Sequence, residues 1–380
     1  MKTLDELRQE INAIDCDLAK VLQDRLSVAQ AIAAYKIENG IQILQSDREA
    51  EIYRNFLGNF DKDLEWLARA IYGTVLRSSR ALQFHDQAEK DVCDSMVKLV
   101  KNAPQTLAPV YTVCYQGVPG AWSHSAAKKL YPNAETISVL TFEEIFQAVS
   151  DGRAQAGVLP LDNSTAGTVD DVYDLLIRHD CMIQSASPYP IRHCLLAVPG
   201  ATRETVKSVH SHPQGLAQCS RYIKAHRYLP ILESNTAVAA KKIAESGDTS
   251  IAAIASRDTA KLYGLSILEE GINDSECNQT RFVSITKNFS VPKDANRISL
   301  AFRLPNQSGA LANVIGLFSY HGINLLKISS RPIPNQPWEY CFYLDCAIDG
   351  LNTNVFGLLN QLDAELGWVK LLGCYPEQTL

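Results

Sequence analysis

The chain has no CxxC pair and no His/Cys cluster at zinc spacing: its ten cysteines, at 16, 93, 114, 181, 194, 219, 277, 341, 346 and 374, stand singly. That argues against common zinc sites and a disulfide framework, and reads the cysteines as reduced, mostly buried thiols. No apolar run approaches the ~18 residues of a membrane span. The opening MKTLDELRQE is charged from its second residue and leads into no apolar h-region, so a cytoplasmic location is expected. A basic surplus is missing too. With 36 Lys+Arg against 42 Asp+Glu and a net charge of -6, the electrostatic footprint of a nucleic-acid binder is absent, and any anionic ligand must be held by a local pocket. GVPG at 117–120 is not GxGxxG and lacks the follow-on acidic residue, GxxxxGK[ST] is absent, and no Ser or Cys sits in a nucleophile elbow. Dinucleotide, P-loop and hydrolase readings fall with them. Low-complexity segments and repeats of solenoid period are absent as well.

What is present is a chain of 380 residues, enough for two to four units at ~100–200 residues each. In the first segment Leu4, Leu7, Ile11, Ile14, Leu18, Val21, Arg25, Val28, Ile32 and Tyr35 alternate spacings of three and four, with no Pro or Gly before Gly40. This predicts one helix of about 35 residues, roughly 50 Å long, whose apolar stripe needs a partner. Ser46-Asp47-Arg48-Glu49 reads as a capping box opening a second helix, and a third runs from about Leu64 to Gln83. The stretch 91–108 reads as a linker. Arg25 interrupts the apolar seam and needs an anionic partner. Lys36, eleven residues on, has nearly the same azimuth and lies roughly 16 Å along the axis. Arg8 is about 25 Å from Arg25 and can share a ligand with it only from an antiparallel second chain. Ser79 and Gln83 offer polar groups at i and i+4. Snorkelling cations on a dimer seam would give the same pattern.

From Val110 short apolar runs end in polar residues that open the next helix: Tyr111 to Tyr115, Ala156 to Leu159, Val206 to His210, Leu229 to Leu232 and Ile251 to Ile254. These βα units predict a mainly parallel sheet with the polar loops on its ligand-binding edge. DNSTAG, ahead of a helix expected near Thr168, offers free N–H groups and a positive helix end to a carboxylate or phosphate. CNQTRF at 277–282 places Thr280 at the head of an apolar strand, where it is either a good β-former or a catalytic hydroxyl. From about Arg297 the order β, α, β, β, α, β is that of a ferredoxin-like domain.

YQGVPGAWSHSAA, GVLPLDNSTAG, VHSHPQGLAQC, ESNTAVAAKKIA and NQTRF together resemble the prephenate dehydratase family. LRQEI, QDR, YK, DRE and SSRALQ resemble the all-helical chorismate mutases, and SGALANVI with ISSRP resembles an ACT regulatory domain. Nearly the whole chain is covered, in the order of the bifunctional enzymes of phenylalanine biosynthesis. The resemblance implies an all-α three-helix mutase as an intertwined dimer (1–90), a two-lobed α/β dehydratase resembling periplasmic binding proteins (109–290) and an α+β ACT domain (296–376). It implies that chorismate is held by Arg25, by Arg8 of a second chain, and by Gln45, Arg48 and Ser79. Lys36 and Gln83 then donate to its ether oxygen, while Glu49 takes its hydroxyl. Prephenate is expected to lose its ring hydroxyl to Thr280 beside Asn163 and Gln218, with Ser211, Thr165, Arg281 and Asp162 as further contacts. L-phenylalanine is expected at Ser308, Gly309, Ala310 and Leu311 with Ser330, Arg331 and Pro332. No metal or cofactor is expected. Three positions depart from the family: Gln45 stands for Asp, Asp162 for Glu, and Ser330 for the acidic residue of ESRP. Two alternatives stay open, an amino-acid-sensing binding protein and a monofunctional dehydratase whose helices only dimerise.

Overall fold

The computed structural model describes residues 2–333 and 336–378. Two compact units are found, one comprising residues up to Asn102 with Leu300–Leu371, the other Ala103–Ser299 with the chain from Leu372 onward.

In the first unit the long periodic stretch is α1 (Leu4–Glu38), capped by a Thr3/Glu6 capping box and ended before Gly40 at φ +64°. α2 (Ser46–Leu57), α3 (Glu65–Glu89) and α4 (Ser95–Asn102) follow, the last inside the stretch read as a linker. The expected capping box of α2 does not form: Gln45, not Ser46, is the N-cap, which makes Arg48 rather than Glu49 the N3 residue, and no side chain caps it; the Glu49 carboxylate is bound by Arg80. Phe56 stacks on Tyr72 at 3.7 Å, fixing α2 to α3. Along α1 only Ala29 and Ala33 are buried. The large residues of its stripe, Leu4 through Tyr35, remain 45–64% exposed.

The ferredoxin-like order appears as β12 (Arg297–Arg303), α12 (Ala310–Tyr320), β13 (Asn324–Pro332), β14 (Tyr340–Ala347), α13 (Thr353–Glu365) and β15 (Val369–Tyr375), with strand order β13-β14-β12-β15. α13 lies along α3. Gly357 permits the approach, since a Cβ there would meet His321 Cε1 at 3.0 Å and His85 Cα at 3.3 Å.

The second unit corrects the expectation of a mainly parallel sheet: its βα units are divided between two mixed sheets. One contains β1 (Thr112–Gln116), β2 (Glu135–Val139), β3 (Ala156–Asn163), β4 (Gly167–Thr168), β5 (Met182–Pro190) and β11 (Gln279–Thr286), in the order β2-β1-β3-β11-β5 with β4 beside β3. The other contains β6 (Cys194–Ala197), β7 (Ser208–Ser211), β8 (Leu229–Leu232), β9 (Ile251–Ala255) and β10 (Ser266–Glu270), in the order β10-β6-β9-β7-β8. β11 returns from the second lobe to the first and runs antiparallel between β3 and β5. Helices α5 (Trp122–Leu130), α6 (Phe142–Ser150), α7 (Asp170–Arg178), α8 (Pro213–Gln218), α9 (Ser220–Ala225), α10 (Thr236–Ser246) and α11 (Arg257–Tyr263) accompany the sheets. Each lobe has its own buried core, one around Val113, Tyr115, Val158 and Phe282, the other around Leu195, Val209, Ala240 and Ile254. Among the described residues no helix is long and apolar enough to cross a membrane.

Candidate active sites

In the second unit a cavity of about 410 Å³ is walled by both lobes, with Trp122, Pro160, Asn163, His193, Gln218 and Thr280 among its lining residues. Its centre is one cross-strand pair. Thr280 on β11 faces Asn163 on β3, and one step along Arg281 faces Asp162. Successive residues of a strand point to opposite faces, so the two polar pairs part company. The Asn163 Nδ2 donates to Thr280 Oγ1 at 2.9 Å inside the cavity. On the other face Arg281 meets Asp162 at 3.6 Å, Glu377 at 2.6 Å and the Tyr375 hydroxyl at 2.9 Å. The register then skips Leu161, a bulge that brings Pro160 onto the cavity face with Asn163, as bulges beside active sites do.

Asn163 organises this region. Its Oδ1 accepts from the Thr165 and Ala166 amides and from Thr165 Oγ1 at 3.0, 2.9 and 2.7 Å. Of the DNSTAG N–H groups expected to await an anion, those of Thr165 and Ala166 are therefore bound within the loop and that of Ser164 donates to the Gln279 carbonyl at 2.8 Å, while the helix starts at Asp170. With its proton given to Asn163, Thr165 accepts from Gln218 Nε2 at 3.0 Å. That orients Gln218 Oε1 toward His193 Nε2, 3.0 Å away, which must carry the hydrogen. His193 Nδ1 and Trp122 Nε1 are left buried with no hydrogen-bond partner among the described residues. Orphans of this kind cost ~1–3 kcal/mol each and mark where a polar ligand belongs. Burial holds the His193 imidazole below its ordinary value, against the opposing Gln218 bond, so it is neutral near pH 7. No Lys or Arg lines the described wall; α5 and α10 begin on it instead, presenting helix N-termini to negative charge.

Four expected contacts lie off this cavity. Ser211 is fully buried and donates to the Ile254 carbonyl at 2.6 Å. Asp162 receives the Tyr173 hydroxyl at 3.2 Å, and Arg281 is engaged with Asp162 and Glu377, both on the face that strand alternation turns away. Thr165 braces Gln218 from behind. His193 went unread because PIRHC joins the lobes without a strand-to-helix signature. Trp122 lay in the quoted GVPGAWSHS, where nothing set it apart from a core aromatic.

In the first unit a cavity of about 380 Å³ is lined by Arg25, Lys36, Gln45, Arg48, Glu49, Ser79, Arg80 and Gln83 among others. Every expected residue of the helical site is present except Arg8, which is exposed and paired with Asp5 at 3.4 Å. Arg25 donates to Ser79 Oγ and lies 5.6 Å from the Tyr72 ring. Lys36 Nζ donates to the Ile43 carbonyl at 2.7 Å, and burial lowers its pKa while Glu49 opposes the shift. Gln83 Oε1 is buried without a partner among the described residues. Arg80, quoted within SSRALQ but given no role, donates to both Glu49 oxygens at 2.6 Å. In the ferredoxin-like domain Gly309 caps α12 at φ +83°, followed by Ala310 and Leu311. Ser308 is exposed beside it. Ser330 and Pro332 are exposed on β13, an edge strand, while Arg331 between them is half-buried.

The family model for prephenate dehydratase matches residues 113–290, and that for chorismate mutase type II matches residues 7–84. The bifunctional chorismate mutase/prephenate dehydratase of Aquifex aeolicus is 30% identical over 384 residues, covering 100% of this chain and 99% of the relative. The chain belongs to the bifunctional chorismate mutase/prephenate dehydratase family. The chloroplastic arogenate dehydratase/prephenate dehydratase 1 of Arabidopsis thaliana is 36% identical over 280 residues, 70% of this chain and 71% of the relative. The solved prephenate dehydratase of Arthrobacter aurescens in complex with L-Phe superposes with a TM-score of 0.65 at 26% identity, covering 70% of this chain and 89% of the other. As a member of the bifunctional family this chain rearranges chorismate to prephenate and converts prephenate to phenylpyruvate, two steps of phenylalanine biosynthesis.

Proposed function

We propose that the dehydratase step is run by Thr280 and the mutase step by the cavity between α1, α2 and α3. The observation that carries the first assignment is the Asn163–Thr280 hydrogen bond. Asn163 occupies a lone pair of the hydroxyl and leaves its proton to the departing ring hydroxyl of prephenate. As negative charge grows on Oγ, that same bond strengthens. The ring carboxylate leaves as CO₂, its electron pair aromatises the ring, and hydroxide departs with the Thr280 proton as water; solvent restores the hydroxyl. Gln218 and His193 fix the polar wall, and the starts of α5 and α10 receive carboxylate charge. In the helical cavity Arg25 with Ser79, Gln45 and Arg48 hold chorismate. Lys36 and Gln83 donate to the ether oxygen, and Glu49 accepts from the hydroxyl. A pericyclic step needs only the reactive conformer and these donors.

The domain division proposed is 1–90, 109–290 and 296–376. The last is assigned as an ACT domain that binds L-phenylalanine at Ser308–Leu311 and Ser330–Pro332 and lowers activity. The exposed stripe of α1 supports an intertwined homodimer in which Arg8 enters the second copy's cavity. The single, mostly buried thiols fit a cytoplasmic enzyme. Thr280→Ala tests the core of this reading: phenylpyruvate formation is expected to drop by ~10²–10⁴-fold while chorismate is still consumed. Thr280→Ser keeps part of the rate, and near-normal turnover in Thr280→Ala would refute the assignment.

A further inference from the structure

Arg80 is mostly buried, its side chain 11% exposed, and is held between two carboxylates from different domains. Its Nη1 donates to both oxygens of Glu49, and its Nε and Nη2 grip Glu365 of α13 at 2.7 and 3.1 Å. The chain of contacts continues. Gln361 Nε2 donates to Glu365 Oε1 at 2.6 Å, which turns Gln361 Oε1 toward His321 Nε2 at 2.8 Å. His321 caps the C-terminus of α12. One planar guanidinium with donors on two edges can serve two carboxylates at once, and a lysine cannot reproduce that geometry. Arg80 is the cation paired with the cavity's Glu49, and its second edge is taken by Glu365 of the C-terminal domain.

We propose that Glu365, on the ferredoxin-like domain, is a positioning residue of the mutase site: it locks Arg80, which locks Glu49 in the orientation that receives chorismate. The mutase of this chain thus depends on a residue far outside the three helices that form its cavity. The proposal rests on the assignment of Glu49 to the chorismate hydroxyl. Without Glu365 the Arg80 guanidinium is released on one edge, and Glu49 loses its fixed orientation while remaining paired.

The test uses the full chain and both activities. Glu365→Gln, which keeps shape and one acceptor, is expected to lower mutase kcat/KM about five- to tenfold, since a charge-assisted bond becomes a neutral one. Phenylpyruvate formation from added prephenate stays unchanged and serves as the folding control. Added to Glu49→Gln, the same substitution is expected to cause no further loss, because it acts only through Glu49; a merely structural contribution would subtract from both backgrounds equally. Wild-type mutase kinetics in Glu365→Gln, or an additive loss in the double variant, overturns the proposal. A Glu49→Gln enzyme with undiminished mutase activity overturns the Glu49 assignment itself, and this inference with it.

Discussion

In the cleft, Asn163, Gln218 and Thr280 are joined by hydrogen bonds within the chain, and no Lys or Arg lines the described wall. The helical cavity is the reverse: Arg25, Lys36, Arg48 and Arg80 face it, Gln83 Oε1 has no partner among the described residues, and the large residues of the apolar stripe beside it are exposed. The difference tracks the chemistry. Aromatisation drives the dehydratase step, so a neutral, preset donor at the leaving hydroxyl suffices. A rearrangement with no leaving group is accelerated by clamping an anionic substrate in one conformer, which takes several cations. On the proposed reading the cleft is complete within one chain, whereas the helical site takes Arg8 from a second copy.

The largest effect expected from breaking this contrast, after Thr280→Ala, is at Arg281. Its replacement by Ala takes a guanidinium from Asp162 and Glu377, each about a fifth exposed, while Glu377 keeps Arg297 at 3.3 Å. Removing one partner of a buried pair costs on the order of 3 kcal/mol. Urea unfolding followed on the dehydratase signal should show that loss, with little change in KM for prephenate. A raised KM at unchanged stability would instead restore Arg281 to the substrate.

Divergent pH dependence sharpens the comparison further. Burial lowers His193, His124 and His212, all in the cleft unit, below the ordinary ~6.5. In the unfolded chain they take up protons near that value. Their contribution to stability is therefore fully present above ~6.5 and is lost as the pH falls below it. Lys36 shifts the mutase the other way: its pKa is lowered by burial, so its donor proton is lost on the alkaline side earlier than for an ordinary lysine. Both rates measured on one sample from about pH 5 to pH 10 should fail at opposite ends, the dehydratase in acid and the mutase in alkali. Coincident profiles would contradict the two assignments.

The smallest expected effect is at Ser330, exposed on the edge strand β13. Ser330→Glu is expected to tighten L-phenylalanine binding by a factor of a few to about tenfold in calorimetry, through a charge-assisted bond to the ammonium group. Equal or weaker affinity would show that this chain has arranged its effector site around the hydroxyl.

Much of this was legible in the sequence where a periodic signal reached the functional group. The stripe from Leu4 to Tyr35 gave α1 its length, spacing put Arg25 and Lys36 on one helix face, and the resemblance to the chorismate mutases joined them to Ser79 and Gln83. What escaped was set by side-chain direction and by long-range partners. Arg281 and Asp162 are each adjacent in sequence to a cavity residue, and strand alternation alone turns them away. The capping box at Ser46 to Glu49 failed because the helix is entered from Gln45, one residue before Ser46, and Arg80, 31 positions along, holds the Glu49 carboxylate. The division into two mixed sheets was hidden because β11 rejoins the first lobe after a long excursion through the second, which short apolar runs do not reveal.

The claim that one site is complete in a single chain and the other is shared is tested most directly by mixing subunits. Arg8→Ala and Arg25→Ala chains are each expected to be deficient as mutases yet active as dehydratases. After verified exchange, mixed dimers should recover mutase activity, approaching a quarter of the wild-type sites at random assortment, because half the dimers are mixed and each regains one cavity with both arginines. Dehydratase activity should not move. No recovery after exchange would contradict the account and place Arg8 outside the partner's cavity.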